Sequence, residues 1–435
     1  MSATPARRVA HTVLRRTFGE GAYTDRAFTS EAGRAGLEGR ERAFAMRLAY
    51  GAVQRRDTLD HVIGLLAGRP PDELDPPVLD ALRLGVFQLC FLDGVAAHAA
   101  VSQSVELIGG PARGLVNAVL RRAAREAPGL VAALPEATPE DAAVLHSHPA
   151  WVARLWWEAF GADGARSLMA ADNQPAETAV RVNALVADPS EVAAELGARP
   201  AEGVPEGLVL GAPVDLAASP AFATGRVTPQ SRASMLVART LGPRPGERVL
   251  DLCAAPGAKA THLAALMEGG GEVVAVERDP GRARQLRETC TRMRAGSVRV
   301  VQGDARDAHG QGFDRVLVDP PCSGLGTLRG RPDLRWRATP EAAEELGTLQ
   351  REILLAAVRA VCPGGTIVYS TCTLNPVENE DVVAGTLAAR GDLEADDLQS
   401  DAPLWKHPTV AKHLLLMPDR DGTDGFFIAR LRRKA

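Results

Sequence analysis

The sequence predicts a mixed α/β protein with a helical N-terminal part, a small α+β module and a C-terminal, doubly wound, mostly parallel sheet domain. Three observations carry this. Residues 1–130 place apolar side chains at helical spacing, with no alternating strand pattern. From about residue 226, short apolar runs alternate with helical stretches, the order that builds a parallel sheet with helices on both faces. At 435 residues the chain is also too long for one ordinary domain. The expected divisions are 1–130, 131–225 and 226–435.

In the first part, Asp57 reads as an N-cap, with Leu59, Val62, Ile63 and Leu66 on one face. Pro76 and Pro77 open a helix that turns Val78, Leu79, Leu82, Val86 and Phe87 inward. Val101, Val105 and Ile108 mark another helix, and Leu115, Val116, Val119 and Leu120 a further one, so a small helical bundle is expected. Residues 128–147, with several prolines, read as a linker, and Trp151, Leu155, Trp156 and Phe160 as an amphipathic helix. Strand-like stretches follow at 178–185 and 207–210. In the last part, strands are expected at 248–254, 272–277, 298–302, 314–319, 366–370 and 426–431, with helices at 258–267, 280–293, 340–360 and 377–389.

The net charge of −4 gives no bulk sign of nucleic-acid binding, but it hides a gradient: residues 1–130 carry 17 Arg against 14 Asp or Glu. Arginine outnumbers lysine 46 to 4, and its planar guanidinium suits bidentate phosphate contacts. The six cysteines form no Cys-x-x-Cys pair and lie apart from the histidines, so no metal site is expected. There is no apolar signal core at the start and no run long enough to cross a bilayer. A reduced, cytoplasmic protein with free thiols is expected.

The segment Leu250-Asp251-Leu252-Cys253-Ala254-Ala255-Pro256-Gly257-Ala258-Lys259 follows the first strand of the C-terminal domain and reads as a nucleotide-cofactor loop. Its single glycine, Gly257, argues against a dinucleotide fingerprint, which needs three. The second strand ends at Glu277, suited to ribose hydroxyls, and the third near Asp304, suited to an adenine amino group. Loop and two acids together read as a site for S-adenosylmethionine. The fourth strand ends in Asp319-Pro320-Pro321-Cys322, and the fifth in Ser370-Thr371-Cys372. Amino-methylating enzymes carry an aromatic where Cys322 stands. A thiol cannot stack on a base, but it can act as acid, base or nucleophile. Carbon 5 of cytosine is a poor nucleophile until a thiolate adds at carbon 6, which makes it enamine-like and splits one hard step into easier ones. Asp319 is placed to donate to N3 if protonated. Lys259 is placed to lower a thiol pKa or to stabilise charge.

These motifs, Cys253–Lys259, Asp319–Gly324 and Tyr369–Thr373, followed by Asn375-Pro376-Val377-Glu378-Asn379-Glu380, resemble those of the Sun (Fmu) type of RNA cytosine-C5 methyltransferases. Upstream, His98–Glu106 and Gly114–Arg122 resemble the NusB-like helical domain of the group within that family that acts as ribosomal RNA small subunit methyltransferase B. His148-Pro149-Ala150-Trp151 and Arg181-Val182-Asn183 match its connecting region. The resemblance covers nearly the whole chain. It implies a Rossmann-like class I methyltransferase domain, an N-terminal all-α NusB-like domain and a small α+β connecting module. It also implies Cys372 as nucleophile and Cys322 as the group that assists release. Cofactor contacts are implied from Cys253, Ala254, Ala255, Pro256, Gly257, Ala258, Lys259, Glu277, Asp304 and Asp319. Small-subunit rRNA is the implied partner, with neither DNA nor membrane expected, and a monomer. Ala258 stands where the family has a second glycine and Pro320 where it has alanine, which fixes φ before Cys322.

Two rival readings remain at this point: amino-methylation of adenine or cytosine, which needs no thiol, and an assembly factor on a vestigial fold. Arg329, Arg331, Arg335 and Arg337, with Trp336 among them, read as a phosphate-binding and base-stacking lip.

Overall fold

In a computed structural model that describes residues 3–211 and 216–435, the chain forms two compact units. One comprises Met1–Pro175 with Leu328–Arg337, the other Ala176–Thr327 with Ala338–Ala435. Of the segment 131–225, the helices up to Pro175 belong to the first unit and the strands to the second.

The first unit is a helical bundle built around Pro76–Phe91. Residues 78–88 of that helix are all buried, with the polar Asp80, Arg83 and Gln88 among them paired: Arg83 binds Asp60 and Asp80, and Gln88 accepts from Arg7 Nε. Gly85 lets the helix Ala112–Ala132 come close, since a Cβ there would stand 2.5 Å from Leu120 Cδ2. Three expectations are corrected here. Asp57 is not an N-cap: the helix Arg56–Ala67 begins one residue earlier, and the Asp57 N–H donates to Ser147 Oγ at 2.9 Å. Residues 128–147 are not a linker. The helix Ala112–Ala132 runs on through Pro128, and Pro139–His146 is a helix with Pro139 in its first turn and a Thr138–Asp141 capping box.

The third correction concerns the arginine-rich segment, which is not an open lip: Arg335 is buried within this unit, and Arg329, Trp336 and Arg337 are half-buried against its backbone. Arg335 is fully buried and donates to the carbonyls of Gln54 (3.1 Å), Ser147 (2.9 Å) and Asp172 (3.2 Å) and to Asn173 Oδ1 (3.1 Å). Trp336 Nε1–H donates to the Val53 carbonyl at 2.8 Å, and the Arg56 guanidinium lies 3.8 Å from its ring centroid. Arg337 donates to the Ala22 carbonyl at 2.6 Å and Arg329 to that of Pro175. Arg331 is exposed. Planar guanidinium groups suit phosphates, but they serve buried carbonyls equally well.

The second unit holds two sheets. The smaller is antiparallel in the order β2-β3-β1-β4, from β1 (Ala179–Val182), β2 (Ala198–Pro200), β3 (Gly207–Leu210) and β4 (Val227–Pro229). Arg181 of β1 is fully buried and binds Gln230 Oε1 and Thr261 Oγ1, both at 2.8 Å, which ties this sheet to the helix Ala258–Leu266. The larger sheet contains β5 (Arg248–Asp251), β6 (Glu272–Glu277), β7 (Val298–Gln302), β8 (Phe313–Val318), β9 (Val361–Thr371), β10 (Leu393–Ala395), β11 (Leu414–Leu416) and β12 (Phe426–Arg433). Its order is β7-β6-β5-β8-β9-β12-β10, with β11 also on β12. The strands β5 to β9 pair in parallel, and β12 runs antiparallel to β9. All six expected strands are present. The chain order reverses between β5 and β8, and in such sheets the ligand crevice lies beyond the carboxyl ends at that switch.

Candidate active site

The carboxyl ends of β5, β6, β8 and β9 deliver one cluster of charged groups and thiols. Asp251 closes β5 and is fully buried. Its Oδ1 accepts from the Cys253 N–H at 3.4 Å, while Oδ2 has no hydrogen-bond partner among the described residues. Burial, then the charge of Asp319, pushes this carboxyl up to about 7. The loop that follows keeps Ala254 and Ala255 buried and Pro256 exposed. Burial and the nearby charge of Asp251 push the Cys253 thiol well up, so it stays a neutral lining group. Gly257, at φ 110°, caps the helix that Ala258 opens; a Cβ there would meet Leu286 Cδ1 at 2.9 Å.

Lys259, one residue into that helix, reaches Asp319 Oδ2 at 2.7 Å. Burial alone would pull its ammonium down, but Asp319, then the negative form of Cys372 and Asp251, hold it above its ordinary value. The Lys259 Nζ also lies 5.3 Å from the Phe426 ring centroid, at the start of β12. Asp319 accepts from Ser370 Oγ on its other oxygen at 3.1 Å, so both its oxygens are acceptors.

Glu277, at the end of β6, is nearly buried; it accepts from the Asp279 N–H at 2.9 Å and lies 3.5 Å from Arg282 Nε. Asp304, past β7, is gripped by Arg306: its N–H and Nε reach Oδ1 at 3.0 and 2.9 Å, and its Nη2 reaches Oδ2 at 2.9 Å. That grip holds the Asp304 carboxyl down at about 2.

The two thiols meet. Cys322 Sγ and Cys372 Sγ are 3.3 Å apart, within hydrogen-bond range for sulfur. The bond to Cys372, then burial, then the charges of Cys372, Glu378 and Asp319, push the Cys322 thiol well up. Either sulfur can be the donor across this contact. Cys253 lines the cofactor loop, while Cys290 and Cys90 are pushed up to about 11, chiefly by burial.

The sequence-predicted residues from the cofactor loop, Asp319, Cys322 and Cys372 thus come together. Sequence reasoning missed Asp251, Ser370 and Phe426. A carboxylate at the end of the first strand was a readable signal for Asp251; Phe426 joins through an antiparallel strand far along the chain and gave none. Among the described residues, no group of three His, Cys, Asp or Glu side chains could hold a metal ion, and no helix is long and apolar enough to cross a membrane.

Comparisons with known proteins agree along the chain. The family model described as 16S rRNA methyltransferase RsmB/F matches residues 238–432. The NusB family matches residues 4–125, and the ferredoxin-like domain of RsmF/B-like methyltransferases matches residues 148–217. A probable ribosomal RNA small subunit methyltransferase B of Synechocystis is 36% identical over 446 residues, spanning 98% of this chain and 99% of that protein. The crystal structure of PH0851 is 28% identical, with a TM-score of 0.85 over the whole of both chains. NSun6 from Pyrococcus horikoshii, solved with SFG, is 25% identical with a TM-score of 0.62, covering 67% of this chain and all of that one.

Proposed function

The chain belongs to the 16S rRNA methyltransferase RsmB/F family, and from that premise we propose that it methylates carbon 5 of a cytosine in small-subunit rRNA through a covalent bond between Cys372 and carbon 6. The observation that carries this reading is the thiol pair, 3.3 Å apart beside the Lys259–Asp319 ion pair.

Bound S-adenosylmethionine supplies an electrophilic methyl group. The residues present fit it. A buried carboxylate with an orphaned oxygen is costly unless a cation arrives, and Asp251 Oδ2 suits the cofactor's α-ammonium. Glu277 suits the ribose hydroxyls. Asp304 keeps one lone pair on Oδ2 for an adenine amino group after Arg306 has taken its share.

Lys259 favours the thiolate of Cys372, and Cys322 holds the neighbouring proton. The target base leaves its stack to reach them. The Cys372 thiolate adds to carbon 6, and the ring electrons move towards N3, where the Lys259–Asp319 pair supplies a hydrogen bond. Asp319 accepts here from Lys259 Nζ and Ser370 Oγ, so the hydrogen bond at N3 is assigned to the Lys259 side of the pair, which holds its proton again once the ring is restored. Carbon 5 then takes the methyl group. Its proton passes to water, the C5–C6 double bond re-forms, and the electrons of the C6–S bond return to Cys372. Cys322 S–H donates to the departing sulfur, the same bond that the resting pair makes.

Amino-methylation needs no thiol, and nothing in it would use a half-buried thiol pair. The test is separation of the two cysteines. Cys372→Ala should form no covalent bond with rRNA and be inactive. Cys322→Ala should transfer the methyl group and stall as an adduct that survives denaturing electrophoresis. The reverse pattern would exchange the roles, and full turnover in both would end thiol catalysis. Bisulfite sequencing of rRNA from cells lacking the gene should lose one 5-methylcytosine signal.

A further inference from the structure

The geometry points to Glu378 as the positioning residue that holds Cys322 against Cys372, and so governs release of the methylated RNA. The inference rests on the thiol reading above.

Glu378 lies in the Asn-Pro-Val-Glu-Asn-Glu run after Cys372 and is fully buried. An ionised carboxylate has about four lone-pair sites. Here they meet four donors: the Ser323 N–H at 2.8 Å, the Ser323 hydroxyl, Gln350 Nε2 at 3.1 Å and Asn375 Nδ2 at 3.2 Å. Gln350 Nε2 also donates to the Pro321 carbonyl at 2.8 Å, and its Oε1 accepts from Tyr369 Oη at 3.2 Å. Both chain neighbours of Cys322, Pro321 and Ser323, are thus fastened to one Glu378–Gln350 pair.

Cys372 is held in the same manner from the other side. Asn379 Oδ1 accepts from the Thr371 hydroxyl, and its Nδ2 donates to the Thr373 carbonyl at 3.0 Å. The two loops are then joined directly, Ser323 Oγ to Thr373 Oγ1 at 2.7 Å. A sulfur–sulfur hydrogen bond is weak and cannot hold two loops in register alone. The buried carboxylate can, because leaving any of its donors unpaired is costly. A buried charge adds little net stability but enforces a single geometry. Burial pushes the Glu378 carboxyl up, while Ser323, Gln350 and Asn375 draw it back towards the charged form.

Positioning matters most in the release step, when Cys322 S–H must meet the departing sulfur while water takes the carbon-5 proton. Attack by Cys372 and methyl transfer depend instead on Lys259, the cofactor and the Asn379 side of the network. Glu378→Gln keeps the shape but sets an NH2 against donors, so the Cys322 loop loosens.

The test follows single turnover of the full-length protein on rRNA, with methyl transfer read by radiolabel and adduct read by denaturing electrophoresis, beside Cys322→Ala and Cys372→Ala. Glu378→Gln should transfer the methyl group at close to the wild-type rate and release product more slowly by on the order of 10²-fold, so the adduct accumulates. A merely structural role would lower transfer and release together, in step with the folded fraction, and that result overturns the inference. Release at the wild-type rate overturns it too. If Glu378→Gln does not fold, Ser323→Ala carries the same test, with release slowed at least about tenfold for the lost hydroxyl bonds to Glu378 and Thr373 and the same two overturning results. If Cys322→Ala leaves no adduct, the thiol reading itself falls. If Cys322→Ala leaves an adduct and Glu378→Gln does not, only the positioning role falls.

Discussion

Asp251 keeps one buried oxygen without a hydrogen-bond partner among the described residues, and this has a pH signature. Its carboxyl stands near 7 in the folded chain against an ordinary value of 3.8. Between those values the folded chain binds more proton than the unfolded one, so this group makes stability fall as pH rises from about 4 to 7. A cationic ligand prefers the ionised form. Cofactor affinity should therefore rise about tenfold per pH unit below pH 7 and level off above it, with about one proton released on binding at pH 6. Calorimetry in buffers of different ionisation enthalpy measures both, and Asp251→Asn should abolish the dependence; a flat profile in the wild type would remove Asp251 from the ammonium site. Glu277→Ala should weaken cofactor binding by about 1.5–3 kcal/mol, the range for hydrogen bonds to a charged group; unchanged affinity in a folded variant would count against the ribose contact. The sequence places Cys322 and Cys372 at adjacent strand ends because each follows an apolar run. It is silent on how the two thiols share a proton, since Lys259 comes from the helix after β5, Glu378 from the turn after β9 and Asp319 from the end of β8.

At the scale of elements, legibility followed length and burial. The strands β5, β6, β8, β9 and β12 are largely buried and read as apolar runs. The strands β2, β4, β10 and β11 span three residues each, too short for any period to show. The prolines at 128 and 139 read as breakers because sequence alone does not say which sits in a first helical turn. The arginine-rich segment misled for another reason: its acceptors are backbone carbonyls at Gln54, Ser147 and Asp172, which exist as a set only once the bundle has formed. Arg335→Met should therefore destabilise the first unit by at least about 3 kcal/mol, through buried acceptors left unpaired. Urea unfolding should show a lower midpoint at unchanged slope. A shift below about 0.5 kcal/mol, the size of an ordinary surface change, would mean that water replaces the guanidinium.

For the whole molecule, the proposed cofactor residues all lie after residue 250, while the basic bias lies before residue 130. We expect residues 176–435 to bind S-adenosylmethionine about as well as the full chain but to methylate rRNA poorly; full rRNA activity from that fragment would refute the division. Residues 226–435 should be less stable still. They lose Arg181 and its bond to Thr261, and they lose Ala179, Ala201, Val204 and Val209, which pack on Met235. The placement of Leu328–Arg337 in the first unit has a consequence for synthesis. A ribosome finishes Pro175 some 160 residues before it finishes Arg337, an interval of roughly 10–30 s at about 5–20 residues per second. Throughout that time the nascent bundle lacks the buried Arg335 guanidinium, and the carbonyls of Gln54, Ser147 and Asp172 stay open to water. Nascent chains stalled at residue 300 should be cut by protease within the first 175 residues, and chains stalled far enough past residue 337 to clear the exit tunnel should resist. The N-terminal unit, first to be made, is among the last to close.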